Sequence, residues 1–158
     1  MKRIILLIFI LSLLNCSKDN SIVNFLEYLD PYQGITKTLG TGTVVTEDTT
    51  DWHYKHVAYP RLSNALFPVY PNPISIGDTL NIKYQLENRS QVKLEIINNK
   101  FRSIKVLIDQ EIVGGHYWLK WDLKNNDGFY IEPNMYRCVL KINEFTLFGD
   151  VLIQPQQN

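Results

Sequence analysis

The chain has 158 residues, enough for one domain, or one domain with a short arm, and too few for two full-sized ones. Its 16 basic and 16 acidic residues balance, which excludes the strongly basic footprint of a nucleic-acid binder. Nine Tyr, seven Phe and three Trp favour strands over a helical bundle.

Lys2 and Arg3 precede an apolar run over residues 4–14 that is broken only by Ser12. The run is shorter than the roughly 18 residues a bilayer-spanning helix needs, and its basic start is that of an export signal. It ends at Leu13-Leu14-Asn15-Cys16, which resembles a bacterial lipobox, the recognition site of lipoprotein signal peptidase, with Asn15 in place of the usual small residue. The resemblance implies a signal peptide over residues 1–15 and a lipidated Cys16 as the new N-terminus. It further implies an exported protein, lipid-anchored in the cell envelope at the outer membrane or cell surface. On the residues alone, an ordinary signal peptide or an uncleaved anchor with an incidental Cys16 stands beside that reading. Loss of Lys2 and Arg3 leaves the mature chain faintly acidic. With Cys16 consumed, Cys138 has no partner within the chain. Its place in the alternation Tyr136, Cys138, Leu140, Ile142 predicts a buried, unreactive thiol.

Residues 16–21 form a polar, lipidated tether, and residues 22–68 an irregular N-terminal arm. Ile22, Phe25, Leu26 and Leu29 recur at helical spacing until Asp30-Pro31 stops them, so a two-turn helix, a strand or a linker fits there. Gly34, Gly40 and Gly42 break up a Thr- and Val-rich extended segment without making a phosphate-binding loop. Asp48, Asp51, His53 and His56 lie close together in sequence. A divalent metal is one reading of that cluster, but no second ligand cluster matches the His-x-x-His spacing. A polar loop anchored by packing of Trp52 and Tyr54 is the expectation, with no metal and no cofactor.

From residue 69 the texture changes to regular strand signals. Residues 79–86 alternate strictly, with Leu80, Ile82, Tyr84 and Leu86 on one face. Residues 87–90 read as a turn, and Val92, Leu94 and Ile96 alternate beyond it, so the two runs are expected to form a hairpin. A turn at 98–100, a short strand over 104–108, and Gly114-Gly115 follow. Next comes a strand placing Tyr117, Leu119 and Trp121 on one face, with His116 solvated on the other. Asn125-Asn126-Asp127-Gly128 is the strongest turn signal. Strands over 135–142 and 145–153 and a polar tail over 154–158 complete the chain. Short strands at about 8–12-residue spacing predict an all-β fold, a small β-sandwich of about six or seven antiparallel strands over 69–153.

Tyr70-Pro71-Asn72-Pro73 at the start of this module, Gly115 before a strand, Trp121-Asp122, Asp127-Gly128 in its turn, and Tyr136 form an ordered set. That set resembles the immunoglobulin-like domain of flagellar hook-capping (FlgD-type) proteins, and is similar to the C-terminal sorting domains of type IX secretion cargo. Leu123 and Asn134 stand where such domains often carry glycine. On size alone, Trp121 and Tyr136 are expected to staple two sheets, and Asp122 to accept hydrogen bonds from the turn below it. The Asp122–Asp127 stretch lacks the ligand order of an EF-hand calcium loop.

No Gly-x-Ser-x-Gly elbow or His-Glu-x-x-His helix is present, so the expectation is a non-enzymatic protein. Its function would be that of an envelope lipoprotein whose immunoglobulin-like module serves docking, assembly or adhesion. Its partners would be the membrane, through the N-terminal lipid, and an envelope protein, with no nucleic acid. The alternative is a secretion-related protein whose C-terminal module is a type IX sorting or anchoring domain.

Overall fold

A computed structural model describes residues 34–52 and 63–156. Cys16, the 22–29 segment, Tyr54 and the His53/His56 pair lie outside the described residues. Those described contain no helix and ten strands: β1 (Lys37–Thr38), β2 (Val44–Thr46), β3 (Ala65–Leu66), β4 (Ile74–Ser75), β5 (Leu80–Leu86), β6 (Ser90–Asn98), β7 (Ser103–Ile112), β8 (Gly115–Trp121), β9 (Asn134–Ile142) and β10 (Phe145–Gln154). A five-stranded sheet in the order β4-β10-β9-β6-β7 faces a three-stranded sheet in the order β3-β5-β8, and β1-β2 is a separate ribbon. The expected β-sandwich is therefore what forms, with β5–β10 as its long strands.

The alternation read from the sequence is the alternation that is buried. Leu80, Ile82, Tyr84 and Leu86 of β5 meet Val92, Leu94 and Ile96 of β6, with Trp121, Tyr136, Cys138, Leu140 and Ile142, in one continuous core. Each such side chain contributes roughly 1.5–3 kcal/mol when fully withdrawn from water. The five-stranded sheet also has a second apolar cluster on its outer face, where Ile97, Val139 and Phe148 are buried with Phe101 against them.

Four expectations need correction. The 79–96 region is not a hairpin: β5 pairs with β3 and β8, whereas β6 pairs with β7 and β9. Both strands point their apolar face into the same core from opposite sheets, and alternation identifies a buried face without identifying a neighbour. The strand expected over 104–108 runs from Ser103 to Ile112, because it pairs along nearly all of β6. The strands are not all antiparallel, since β4 runs parallel to β10. The arm is not wholly irregular either. Within it, β1 and β2 pair, β3 joins the three-stranded sheet with Ala65 and Leu66 buried, and Trp52 enters the core.

Turn chemistry sets the chain reversals. Asn98 Oδ1 accepts from the N–H groups of Lys100 and Arg102, which closes the β6–β7 turn. The β9–β10 hairpin turns through Asn143 and Glu144, with Asn143 at φ 51°, a left-handed conformation that Asn tolerates better than most residues.

Candidate functional site

Among the described residues, those of the motif set read from the sequence fall into three places rather than one site. The first is the seam between arm and sandwich. Tyr70 exchanges backbone hydrogen bonds with Asn81, and the Tyr70-Pro71 and Asn72-Pro73 bonds are cis. Asn72 is 0 % exposed, yet both its amide donors and its carbonyl oxygen have partners in this seam. Its Nδ2 donates to the carbonyls of Thr36 and Asp150, each at 2.9 Å, and its Oδ1 accepts from Leu152 N–H at 3.0 Å. One amide thereby ties the arm to β10. A buried amide left without such partners would cost about 1–3 kcal/mol.

Beside it lies a buried ionic cluster that sequence reasoning did not find. Arg137 Nε and Nη2 donate to Asp150 at 2.6 and 2.8 Å. Asp51, 7 % exposed, accepts from Asp150 N–H at 3.0 Å and from Thr36 N–H at 3.4 Å. Burial, and then the charge of Asp150, push the Asp51 carboxyl up to about 8. Its oxygens are committed to backbone donors, and Asp48 is turned to Thr50. Among the described residues no group of three His, Cys, Asp or Glu side chains is placed to hold a metal. The pairing of β9 with β10 sets Arg137 opposite Asp150, but no signal in the sequence adds Asp51, which comes from the arm.

The second place is the loop between β8 and β9. Trp121 Nε1 donates to Lys124 O at 2.9 Å, and Tyr136 Oη to Glu132 O at 2.8 Å. The two aromatics lie in opposite sheets, fill the core and brace this loop from both sides. Asp122 Oδ1 accepts from Lys124 N–H at 3.3 Å, the turn-stabilising role expected of it. Asn125 Oδ1 accepts from Asp127 and Phe129 N–H groups, and Gly128 has φ 85°. Leu123 adopts φ 59° while fully buried, which explains why glycine suits this position and what leucine gains there instead. Asn134 is not among the residues with positive φ. An open cleft of about 590 Å³ at this end is lined by Asn125, Asn126, Asp127, Tyr130, Glu132 and neighbouring residues.

The third place is the outer face of the three-stranded sheet, reached through Gly115 at the start of β8. The β5–β8 register sets Asn81 beside Lys120, Lys83 beside Trp118, and Gln85 beside His116. These six side chains point away from the core, and none is acidic. Trp118 is 60 % exposed. Lys83 Nζ lies 4.2 Å from its ring centroid and 5.1 Å from that of Tyr70, a cation–π arrangement that holds the ammonium between two rings. An open cleft of about 400 Å³, lined by Phe67, Lys83, Tyr84, His116, Tyr117 and Trp118, runs along this face. His116 is solvent-exposed, as expected. The signal for Trp118 was the same alternation that turned Tyr117, Leu119 and Trp121 toward the core.

Cys138 is fully buried and free, and burial pushes its thiol well above the ordinary range. No helix among the described residues is long and apolar enough to cross a membrane.

No family model matches the chain, and no curated protein does. Among solved structures it is similar to PorZ of Porphyromonas gingivalis, an essential bacterial surface component of the type-IX secretion system. That match has 19% identity and a TM-score of 0.41, covering 56% of this chain and 11% of PorZ. It is also similar to FlgD of P. aeruginosa, at 18% identity and a TM-score of 0.39, covering 51% of this chain and 64% of FlgD. The chain thus spans less than two thirds of the length of either protein.

Proposed function

We propose that this protein is a non-enzymatic lipoprotein of the cell envelope whose β-sandwich docks another envelope protein. The observation that carries the docking reading is Trp118, 60 % exposed on a face whose six paired outward positions carry no acid, beside Tyr70 and Lys83. Trp and Tyr are among the side chains that carry most of the binding energy at protein–protein interfaces. The anchoring reading rests on the basic start, the short apolar run and Cys16. Two or more acyl chains, at about 0.8 kcal/mol per buried CH₂, hold a protein firmly to a membrane.

The test is cross-linking in intact envelopes followed by capture of the protein, with Cys16→Ala as control. One stoichiometric envelope partner, dependent on Cys16 and lost in Trp118→Ala, supports the reading; capture unchanged by Trp118→Ala refutes the assigned face. Mass spectrometry of the mature protein checks the anchor, which requires an acylated Cys16. A cleavage near Pro68 would instead favour the sorting-domain alternative. Against such a cleavage stands β3, whose Ala65 and Leu66 are buried within the sandwich.

A further inference from the structure

The three-stranded sheet ends on β8, and the hydrogen bonds around β5 show which way the backbone of β8 points. Asn81 exchanges both of its backbone hydrogen bonds with Tyr70, and Lys83 O accepts from Phe67 N–H, so these residues face away from β8. In an antiparallel pair, alternate residues direct N–H and C=O to alternate sides. Leu80, Ile82, Tyr84 and Leu86 therefore face β8 and bond Trp121, Leu119, Tyr117 and Gly115, their register partners. The backbone groups of His116, Trp118 and Lys120 then point outward from the edge. No described residue outside the ladder bonds them.

The neighbouring edge, β7, is protected in ways β8 is not. Asn126 N–H donates to Ile104 O at 3.1 Å, and Asn126 Oδ1 accepts from Val106 N–H at 3.1 Å, so the 125–126 turn occupies that edge. The β6–β7 register also shifts twice, whereas β5–β8 runs without a break. Bulges and covering turns are the usual means of blunting an edge, and a regular bare edge is a template for another strand.

We propose that the β8 edge accepts an extended segment of a partner protein by strand addition, and that this segment alternates apolar and acidic side chains. This rests on the docking reading and names the partner's chemistry. The apolar set follows from Tyr117 and Leu119, which pack on the core yet stay half-buried at the edge and would be covered by an added strand. The acidic set follows from Lys83, His116 and Lys120 on the outer face, where no acid occupies any of the six outward positions. Asp122, the next residue along, is engaged by Lys124 at 3.4 Å. Backbone hydrogen bonds supply affinity in this mode and alternate side chains supply selectivity.

The probe is a blocked octapeptide of alternating valine and glutamate, with a valine–lysine octapeptide as control. The readout is hydrogen–deuterium exchange of the purified full-length protein in detergent. The expected result is slowed exchange confined to the His116, Trp118 and Lys120 amides, about 11-fold at ten times the peptide Kd, with β7 unchanged. Lys120→Pro should abolish binding while leaving the fold intact, because a proline is tolerated where an edge N–H faces solvent. Should that variant unfold, the Lys83→Glu/Lys120→Glu pair keeps the test open, since it should transfer binding to the valine–lysine peptide.

The proposal is overturned by absence of protection up to about 1 mM glutamate peptide, a concentration at which a Kd near 1 mM would already show. It is overturned equally by both peptides protecting alike, or by protection that appears with protein concentration alone, which would make a second copy the occupant. Failure here alongside a captured envelope partner would remove strand addition and leave docking. Peptide protection with no envelope partner would remove the docking reading and leave the edge site.

Discussion

Asp51 gives the sharpest test of how the arm is held to the sandwich. Its carboxyl is 7 % exposed, accepts from the N–H groups of Asp150 and Thr36, and faces the charges of Asp150 and Asp48. Burial first, and then Asp150, raise it from 3.8 to about 8. The folded state therefore binds this proton more tightly than the unfolded chain does. Stability from Asp51 is fully present below about pH 4, falls as pH rises, and levels off above about pH 8. At about 1.4 kcal/mol per pKa unit the whole loss is on the order of 6 kcal/mol. Asp51→Asn mimics the neutral acid, keeps one acceptor oxygen and turns a donor amide toward the other backbone N–H. It should cost about 1 kcal/mol at low pH, the worth of one hydrogen bond, and become the more stable protein above about pH 5, with the advantage levelling off near pH 8. Urea melts of both proteins from about pH 4 to pH 9 measure this, and their difference isolates Asp51 from every other titrating group. Two parallel pH profiles would refute the reasoning.

Four further outcomes are expected. Gly149→Ala drives a methyl group into the indole ring of Trp52, so it should cost about 1–3 kcal/mol or more in a denaturant melt, with a change in Trp fluorescence. Trp121→Ala should cost about 3–5 kcal/mol, since it empties a fully buried site and frees the Lys124 carbonyl; a loss under about 1 kcal/mol would mean that Trp121 is not a core residue. Leu123→Gly relieves a left-handed leucine worth about 1–2 kcal/mol, but loses a buried side chain worth about 2–5, so net destabilisation is expected in the same assay. Cys138 should resist a thiol reagent in the native state and react at the rate of unfolding; fast native labelling would contradict its burial.

What the sequence by itself determined was periodicity and punctuation. The period-2 runs at 80–86, 92–96, 117–121 and 136–142 were legible because one face of each strand is apolar, and those faces are the core. The turns at 98–100 and 125–128 were legible because Asn and Gly carry local hydrogen bonds and left-handed backbone within a few residues. By the same parity His116 was placed on the outside of the sheet.

Pairing was decided only in three dimensions. Residues 87–90 read as a hairpin turn, yet the chain there passes from one sheet to the other, with Ser90 already the first residue of β6, because a buried face is shared by every strand around the core. The reach of Asp51 to Asp150 and the grip of Asn72 on β10 join residues far apart in sequence, and no local pattern encodes them. The open edge of β8 is likewise a property of sheet order. Which strand lies last, and which backbone groups are left pointing outward, follow from long-range hydrogen bonds that the alternation of side chains does not specify.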